Sequence, residues 1–299
     1  MAEKVTVIVL AYNEEENIQR VADNIRSTEL WRQARDKELL FCINGSTDQS
    51  AVIARGLSRK DSHLRVLEVP QKGKNRAWQK AVLASDPRSK TLFFVDADVA
   101  LEPRTLSRLE KELDSEPRTV IAGARIVPLP EKGPFSLHRR ALAKILGNLT
   151  FDNRVPWLIG TCYAIRRQNA VGVKLPEDQR IHEDTYLELL FDRQVKIVPG
   201  AKVFFKLGNY ADHLRQRARA MVSTQLLREQ YPKLFQTLLR RRNLRNISKR
   251  RLLQGLSLGE KAGFGLNQIG EWIAAKRARS LLKSRKDTWP KTKSTKRLN

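Results

Sequence analysis

Phe94-Val95-Asp96-Ala97-Asp98-Val99 is an apolar run that ends in two carboxylates separated by one residue. This pattern predicts a buried strand with Asp96 and Asp98 at the carboxyl edge of a sheet, where open α/β sheets bind their ligands. Two acids at such an edge attract a hard divalent cation, Mg²⁺ or Mn²⁺, which prefers oxygen ligands and also holds a substrate's phosphates. Alone, the pattern equally suits a solvated strand end, a helix cap or a turn, so its meaning depends on the surrounding segments.

Strand and helix signals alternate through the first hundred residues. Buried β-branched or apolar runs predict strands over residues 5–11, 39–43, 64–69 and 91–95. Helical spacing predicts helices over residues 14–26, 74–84 and from Ser46 or Thr47 to about Arg59. Such alternation indicates a parallel sheet with right-handed crossovers, so Asn13, Asn44 and Asp96 are expected at one edge.

The pattern is mixed from residue 101 to 205 and then becomes helical and basic. Helices are predicted over 103–114, 135–149 and 183–191, and strands over 119–127, 158–166, 195–198 and 201–205. Further helices are predicted over 213–229, 235–256 and 266–282, with a disordered end from about Asp287. Because no linker-like stretch interrupts the first part, we expect one catalytic domain over residues 1–230, followed by a basic helical region over 231–299.

The formal net charge of +25 is concentrated near the carboxyl terminus. From Pro232 to Asn299 there are 19 Lys or Arg and only 3 Asp or Glu. Such a block indicates an anionic partner: a membrane surface, a nucleic acid or an acidic polymer. A solvated, partly disordered tail is the plainer interpretation.

No apolar stretch approaches the 18 or more residues expected of a membrane-spanning helix. The two cysteines, Cys42 and Cys162, lie in apolar strand-like segments and show no metal-ligand spacing, so we expect buried thiols in a reducing cytosol. A cytoplasmic location is therefore predicted.

Five short motifs follow one another in the order found in a known family. They are Val9–Glu15 (VLAYNEE), Asn44–Asp48 (NGSTD), Lys72–Ala77 (KGKNRA), Asp96–Asp98 (DAD) and Glu183-Asp184. Over about residues 4–230 the chain resembles the inverting glycosyltransferases of family 2, which have the GT-A fold. The resemblance implies an α/β, Rossmann-like, mostly parallel sheet with flanking helices. It also implies transfer of a sugar from a nucleoside diphosphate sugar to an acceptor hydroxyl.

The same resemblance implies roles for individual residues. Asp98 is expected to ligate the Mg²⁺ or Mn²⁺ ion that bridges the diphosphate, with Asp96 as its partner. The nucleotide-sugar site is expected to comprise Ala11, Tyr12, Asn13, Glu14, Asn44, Lys74, Asp96, Gly160, Gln216 and Arg219. Each motif also has a plainer interpretation, because Asn13 suits a helix start, Gly160 suits a strand bend and lysines are common on a basic surface.

Acids at the Glu183-Asp184 position supply the general base in this family, and Asp184 is the residue that we expect in that role. Glu183 is expected to raise the pKa of Asp184 through like-charge repulsion. The alternative is that two acids at the start of a helix simply complement the helix dipole.

The sequence departs from the family pattern at two places. Ile43 and Asn44 stand where two acids usually precede Gly-Ser, so the family pattern does not define the identity of the nucleotide here. Gln216 and Arg219 match the Gln-x-x-Arg part of the Gln-x-x-Arg-Trp motif of processive members, but Ala220 replaces the Trp. This replacement and the lack of membrane spans argue against a polymerising synthase.

The expected partners are a nucleoside diphosphate sugar, with a UDP-sugar preferred, and a saccharide or lipid acceptor. Trp272 and Ile273 lie among Lys276, Arg277 and Arg279, which is a composition typical of helices at anionic membrane surfaces, so peripheral attachment to an inner membrane face is a further hypothesis.

Three alternatives remain open. Nucleic-acid binding agrees with the charge, but the basic blocks carry no recognisable motif and no interleaved aromatic residues. The others are a nucleotidyltransferase on a similar sheet and an inactive member that binds a nucleotide sugar.

Overall fold

One eight-stranded sheet organises the part of the chain that the structure describes, residues 4–129, 137–149, 157–244, 253 and 255–284 of a computed structural model. The strands are β1 (Lys4–Ala11), β2 (Asp36–Asn44), β3 (Leu64–Val69), β4 (Thr91–Asp96), β5 (Val99–Leu101), β6 (Ile121–Pro128), β7 (Cys162–Arg166) and β8 (Val195–Phe205). Their order across the sheet is β3-β2-β1-β4-β7-β6-β8-β5.

Helices cover the sheet and extend the fold at its carboxyl-terminal end. They are α1 (Ile18–Ser27), α2 (Glu29–Gln33), α3 (Ser50–Ser58), α4 (Lys74–Ala84), α5 (Thr105–Ser115), α6 (Leu137–Leu149), α7 (Arg167–Val171), α8 (Glu183–Phe191), α9 (Tyr210–Gln230), α10 (Pro232–Leu244) and α11 (Leu258–Ser284). A 3₁₀ turn, Asp192–Gln194, joins α8 to β8.

The first half of the sheet is parallel, as the sequence predicts. β1 lies between β2 and β4 and is parallel to both, and β2 is parallel to β3. β7 lies between β4 and β6 and is antiparallel to both, and β6 is parallel to β8. The mostly parallel α/β sheet with flanking helices is thereby confirmed, and β7 is the strand whose direction the pattern did not indicate.

Apolar side chains fill both faces of the sheet, because the runs predicted as buried strands project alternately to each side. On one face, the ring of Phe94 stacks between those of Trp78 and Tyr163, with centroid distances of 5.4 and 5.1 Å. Trp78 Nε1 donates a 2.7 Å hydrogen bond to Tyr163 Oη, which satisfies both buried polar groups. Cys42 and Cys162 are both buried free thiols, as predicted.

Several predicted boundaries shift, and the reasons are local. α1 begins at Ile18 rather than at residue 14, and α3 begins at Ser50, after Ser46 and Thr47. Ser46 and Thr47 instead hydrogen-bond to Asn13 across the sheet edge, a long-range contact that a capping pattern does not reveal. The two short strands predicted over 195–205 form one strand, β8. Neither the short helices α2 and α7 nor β5 was predicted.

The carboxyl-terminal helix α11 packs against α6 and α9. It begins with a capping box: Glu260 N donates to Ser257 Oγ at 3.3 Å, and Ser257 N donates to Glu260 Oε2 at 2.8 Å. Lys144 of α6 pairs with the same Glu260 oxygen at 2.8 Å. The helix predicted over 235–256 corresponds to α10, which ends at Leu244. Residues 245–252 and the predicted disordered end lie outside the described residues.

Within the described segments, the helices are all too short or too polar to cross a bilayer.

Candidate active site

Parallel pairing brings the polar residues after three strands to one edge of the sheet. Ala11 at the end of β1 is level with Ile43 of β2, and Leu10 is level with Asp96 at the end of β4. The convergence of Asn13, Asn44 and Asp96 that the sequence predicts follows directly from this register.

Lys74, the first residue of α4, connects the strand-end acid Asp96 to Glu183 of α8. Its Nζ lies 3.1 Å from Oδ1 of Asp96 and 2.6 Å from Oε1 of Glu183. The Lys74 side chain is only 14% exposed and that of Glu183 only 4%. One ammonium group therefore links two carboxylates that are widely separated in sequence, one buried and the other partly exposed.

The buried charges shift one another's pKa values. Burial lowers the pKa of Lys74, but the carboxylates of Asp96, Glu183 and Asp184 outweigh burial and hold it well above the usual value. Burial raises the pKa of Glu183 to about 7 and that of Asp96 to about 6, in each case against the opposing charge of Lys74. The charge of Asp184 adds to the rise in the pKa of Glu183. Such perturbed carboxyl groups in one cluster are typical of functional sites.

Gly160 holds the carboxylate of Asp184 from the sheet side. Its backbone N–H donates to Asp184 Oδ2 at 2.9 Å, and Thr185 N–H at the start of α8 donates to Oδ1 at 2.6 Å. A Cβ on residue 160 would lie 2.9 Å from Glu183 Oε1 and 3.2 Å from Asp184 Oδ2. Glycine is needed here because the two acids lie against the backbone.

Asn13 and Asn44 use their amides to hold the surrounding loops together. Asn13 is buried with a positive φ of 55°, and its Oδ1 accepts from Thr47 N–H at 2.8 Å. Asn44 donates to the carbonyl of Ala11 at 3.1 Å and accepts from Gly73 N–H at 3.2 Å. These contacts fix the loop edges that a nucleotide would meet, while direct contact of either amide with a base stays a prediction.

Tyr12 and Lys72 form an adjoining pair. Lys72 Nζ lies 4.8 Å from the centre of the Tyr12 ring, within the range of a cation–π contact. Gly45 has φ +59°, and a Cβ there would lie 2.7 Å from Lys72 N, so the loop after β2 packs directly on this segment. Glu14 is held in turn by Ser50, whose Oγ accepts from Glu14 N–H at 2.7 Å.

Asp98 lies close enough to Asp96 for its charge to raise the pKa of Asp96 further. Arg20, from α1, faces the same region: burial lowers its pKa, while the charges of Asp98 and Glu14 oppose that effect. Arg20 was not predicted as a site residue, because its position in the helical pattern of α1 does not indicate that it faces the sheet edge.

Two carboxylates at this edge suit a shared divalent cation. Among the described residues, no three His, Cys, Asp or Glu side chains form a complete metal cage. Mg²⁺ and Mn²⁺ do not need one when a substrate's phosphates and water complete the shell. The oxygen-only donor set and the mutual repulsion of Asp96 and Asp98 therefore fit a cation held jointly with a diphosphate.

Gln216 and Arg219 lie on α9. Gln216 lines a cavity that Asp184 also lines, and the charge of Arg219 lowers the pKa of His182, the residue before Glu183. Burial is the larger cause of that shift, which brings the His182 pKa to about 4. The structure thus places both residues near the start of α8, and their contact with a nucleotide sugar stays a prediction.

Comparison with known proteins agrees with this architecture. The sequence model described as Glycosyl transferase family 2 matches residues 6–171, which is more than half of the chain. A comparison with curated proteins gave no match.

Two solved structures show the same fold at low sequence identity. A mannosyltransferase, PcManGT from Pyrobaculum calidifontis in complex with GDP-Man and Mn²⁺, is 18% identical with a TM-score of 0.58, covering 95% of this chain and 84% of that one. S. aureus TarS 1–349 in complex with UDP is 16% identical with a TM-score of 0.54, covering 94% and 84%.

Proposed function

Because the chain belongs to glycosyl transferase family 2 and is a glycosyltransferase, we propose that it transfers a sugar from a nucleoside diphosphate sugar to an acceptor hydroxyl with inversion. The observation that carries the proposal is the junction at Lys74, which joins the strand-end acid Asp96 to the Glu183-Asp184 pair. The acid proposed for the donor site and the proposed base are thereby close to each other.

Asp184 is the proposed general base. Its two oxygens accept from Gly160 N–H and Thr185 N–H, which fix the carboxylate in one orientation. The acceptor hydroxyl gives its proton to Asp184, its oxygen bonds to the anomeric carbon, and the bond from that carbon to the diphosphate oxygen breaks. A positioned base of this kind contributes about 10²- to 10⁴-fold in rate.

Asp96 and Asp98 are the proposed holders of Mg²⁺ or Mn²⁺. When bound, such an ion supplies Lewis-acid stabilisation of the departing nucleoside diphosphate. Lys74 adds a fixed positive charge beside Asp96, and Arg20 adds a second on the α1 side. Both cations suit the charge that develops on the leaving group.

The proposed donor is a UDP-sugar, with the nucleotide held by the loops that contain Tyr12, Asn13, Glu14 and Asn44. Uridine and guanosine nucleotides both occur among the similar structures, since TarS was solved with UDP and PcManGT with GDP-Man. The interlocked contacts of Asn13 and Asn44 support the proposal by giving the nucleotide a rigid rim.

We propose that the protein binds an anionic membrane surface, as a peripheral protein on the inner face of the membrane. The outward face of α11 carries Leu266, Ile269, Trp272 and Ile273, which are 40–60% exposed. Basic residues follow on the same helix, and Lys276 Nζ lies 3.8 Å from the centre of the Trp272 ring. An apolar stripe beside basic residues is typical of helices that lie at anionic interfaces.

Flotation of the full chain with phosphatidylglycerol vesicles tests this location. We expect Ile269→Ser combined with Trp272→Ser to reduce co-flotation strongly, and Leu83→Ser, at a site on α4 that is 69% exposed, to have no effect. Equal flotation of all three proteins would overturn the location.

Release of nucleoside diphosphate from UDP-, GDP- and TDP-sugars tests the reaction itself. We expect release from one donor that requires Mg²⁺ or Mn²⁺, with loss of activity in Asp98→Ala and in Asp184→Asn. Donor binding should persist in Asp184→Asn and weaken in Asp98→Ala. Activity that is unchanged by either substitution would contradict the assigned roles.

A further inference from the structure

A cavity of about 510 Å³ lies beside Asp184, between the sheet edge and the helices α6, α9 and α11. Most of its wall is apolar. The apolar residues that line it include Leu142, Ile145, Trp157, Phe205, Leu207 and Phe264. A volume of this size is in the range of cavities that enclose a small organic ligand.

The polar part of the wall includes the proposed base. Asp184 and Gln216 line the cavity, whereas Lys74 and Asp96 are not among its described lining residues. Of these three charged residues, only Asp184 is in contact with the cavity. A ligand that fills it places its polar end at Asp184 and its apolar part between the helices.

Ala220 on α9 helps to keep this space open. It lines the cavity at the position where processive family members carry the Trp of Gln-x-x-Arg-Trp. A methyl side chain leaves the volume free that an indole would occupy.

The helix that closes the cavity is also the helix with the exposed apolar stripe. Phe264 of α11 faces the cavity, while Leu266 and Ile269 of the same helix face outward. A basic, apolar outer face beside an apolar inner cavity points to a ligand that comes from an anionic lipid surface.

We propose that this cavity binds the apolar chain of a lipid-type acceptor, whose hydroxyl-bearing head group lies at Asp184. The inference rests on the proposed function and names the acceptor class for the same site. Its physical basis is removal of an alkyl chain from water, which for full burial strengthens binding about fourfold for each CH₂.

Displacement of the neutral fluorophore N-phenyl-1-naphthylamine from the full chain tests the binding directly. Hexyl, heptyl and octyl β-D-glucopyranosides, below their micelle concentrations, are the competitors. We expect affinity to rise about two- to fourfold with each added CH₂. Ala220→Phe should weaken octyl glucoside binding at least tenfold. Ala211→Phe, the same change at an exposed alanine of α9, should not.

Two further variants keep the test decisive. Leu142→Gln makes the α6 wall polar and should weaken binding without adding bulk, even if Ala220→Phe fails to fold. Trp272→Ala, on the outer face of α11, should leave the displacement unchanged. Affinity that is independent of chain length, or that is lost in Trp272→Ala but kept in both cavity variants, would overturn the inference.

Donor turnover is measured in a separate assay, so failure of the proposed reaction can be distinguished from failure of the proposed lipid-type acceptor. Chain-length-dependent binding with no nucleotide release from any donor would support the cavity assignment and contradict the proposed function. Metal-dependent nucleotide release that neither alkyl glucosides nor their chain length enhances would support the proposed function and overturn the lipid-type acceptor.

Discussion

Gly160 donates its backbone N–H to Oδ2 of Asp184 over 2.9 Å, and this contact joins the segment before β7 to the start of α8. The same glycine leaves no room for a side chain, because Glu183 Oε1 would lie 2.9 Å from its Cβ. The position of the proposed base thus depends on a residue that has no functional group of its own.

Gly160→Ala is expected to lower kcat at least tenfold while changing donor affinity little. The added methyl displaces the Glu183 and Asp184 carboxylates, and a misplacement of about 1 Å in a catalytic group can cost about 10²-fold. Steady-state kinetics and donor binding by calorimetry measure the two effects. Gly56→Ala is the control, since nothing lies within 4 Å of a Cβ there and the change should leave kcat unaltered. Equal kinetics for both variants would contradict this role of Gly160.

Lys74→Met is expected to destabilise the protein by about 3–5 kcal/mol at pH 8, because it leaves buried carboxylates without their cation. The loss should shrink at acid pH. The folded-state pKa of Glu183, about 7, lies above its ordinary value, so protonated Glu183 favours the folded state. That stabilisation is complete below about pH 4.5 and is lost as pH rises through about 7.

Urea unfolding of Lys74→Met at pH 5 and pH 8 measures this dependence, with Lys80→Met, an exposed lysine of the same helix, as the control. A difference from wild type that is the same at both pH values would show that the Lys74 contacts with Asp96 and Glu183 do not govern stability.

Glu260→Gln is expected to lower the stability of the docked α11 by about 1 kcal/mol at neutral pH, since it weakens the capping box. The side-chain hydrogen bond from Lys144 and the N–H of Ser257 lower the Glu260 pKa to about 2. This carboxylate therefore stabilises the fold above about pH 4.5, and its contribution is lost as pH falls towards 2.

Thermal unfolding from pH 7 to pH 3 should show the gap between Glu260→Gln and wild type closing with acid. Lys144→Met removes the partner charge and should reproduce part of the effect at pH 7. A difference in stability that stays constant across this range would mean that ionisation of the Glu260 carboxylate does not account for it.

Cys42 and Cys162 are expected to be inert towards a thiol reagent such as DTNB in the folded protein at pH 8. Burial raises the pKa of the Cys42 thiol to about 12 and raises that of Cys162 as well, so neither forms a thiolate. Both should react in guanidinium chloride, and reaction of either one in the folded protein would contradict the buried environments.

The convergence of polar residues at the strand ends could be predicted because it depends on local pattern and on register. Parallel strands that end at or just before Asn13, Asn44 and Asp96 bring those residues to one edge of the sheet, irrespective of loop conformation. Ile43 illustrates the limit: it stands where the family usually has an acid, and it is buried in the core on one face of the sheet.

The contacts made by the loops could not be predicted, since they join segments that no periodicity relates. Nothing in the sequence indicates that the amide of Asn44 would form hydrogen bonds with Ala11 and Gly73, or that Lys74 would pair with Glu183. β7 is a similar case, because its apolar run suits either strand direction and only its neighbours decide it.

The cluster around Lys74 has a local charge opposite to that of the whole molecule. Lys74 faces Asp96, Glu183 and Asp184, and Asp98 lies near, in a chain with a net charge of +25. The net positive charge of the whole chain is expected to attract an anionic donor at long range. The carboxylates nearest to the site are expected to repel the diphosphate of that donor. We therefore expect cation and donor to bind with positive cooperativity, each lowering the electrostatic cost of binding the other, so that affinity for a nucleotide sugar rises with the concentration of the divalent ion.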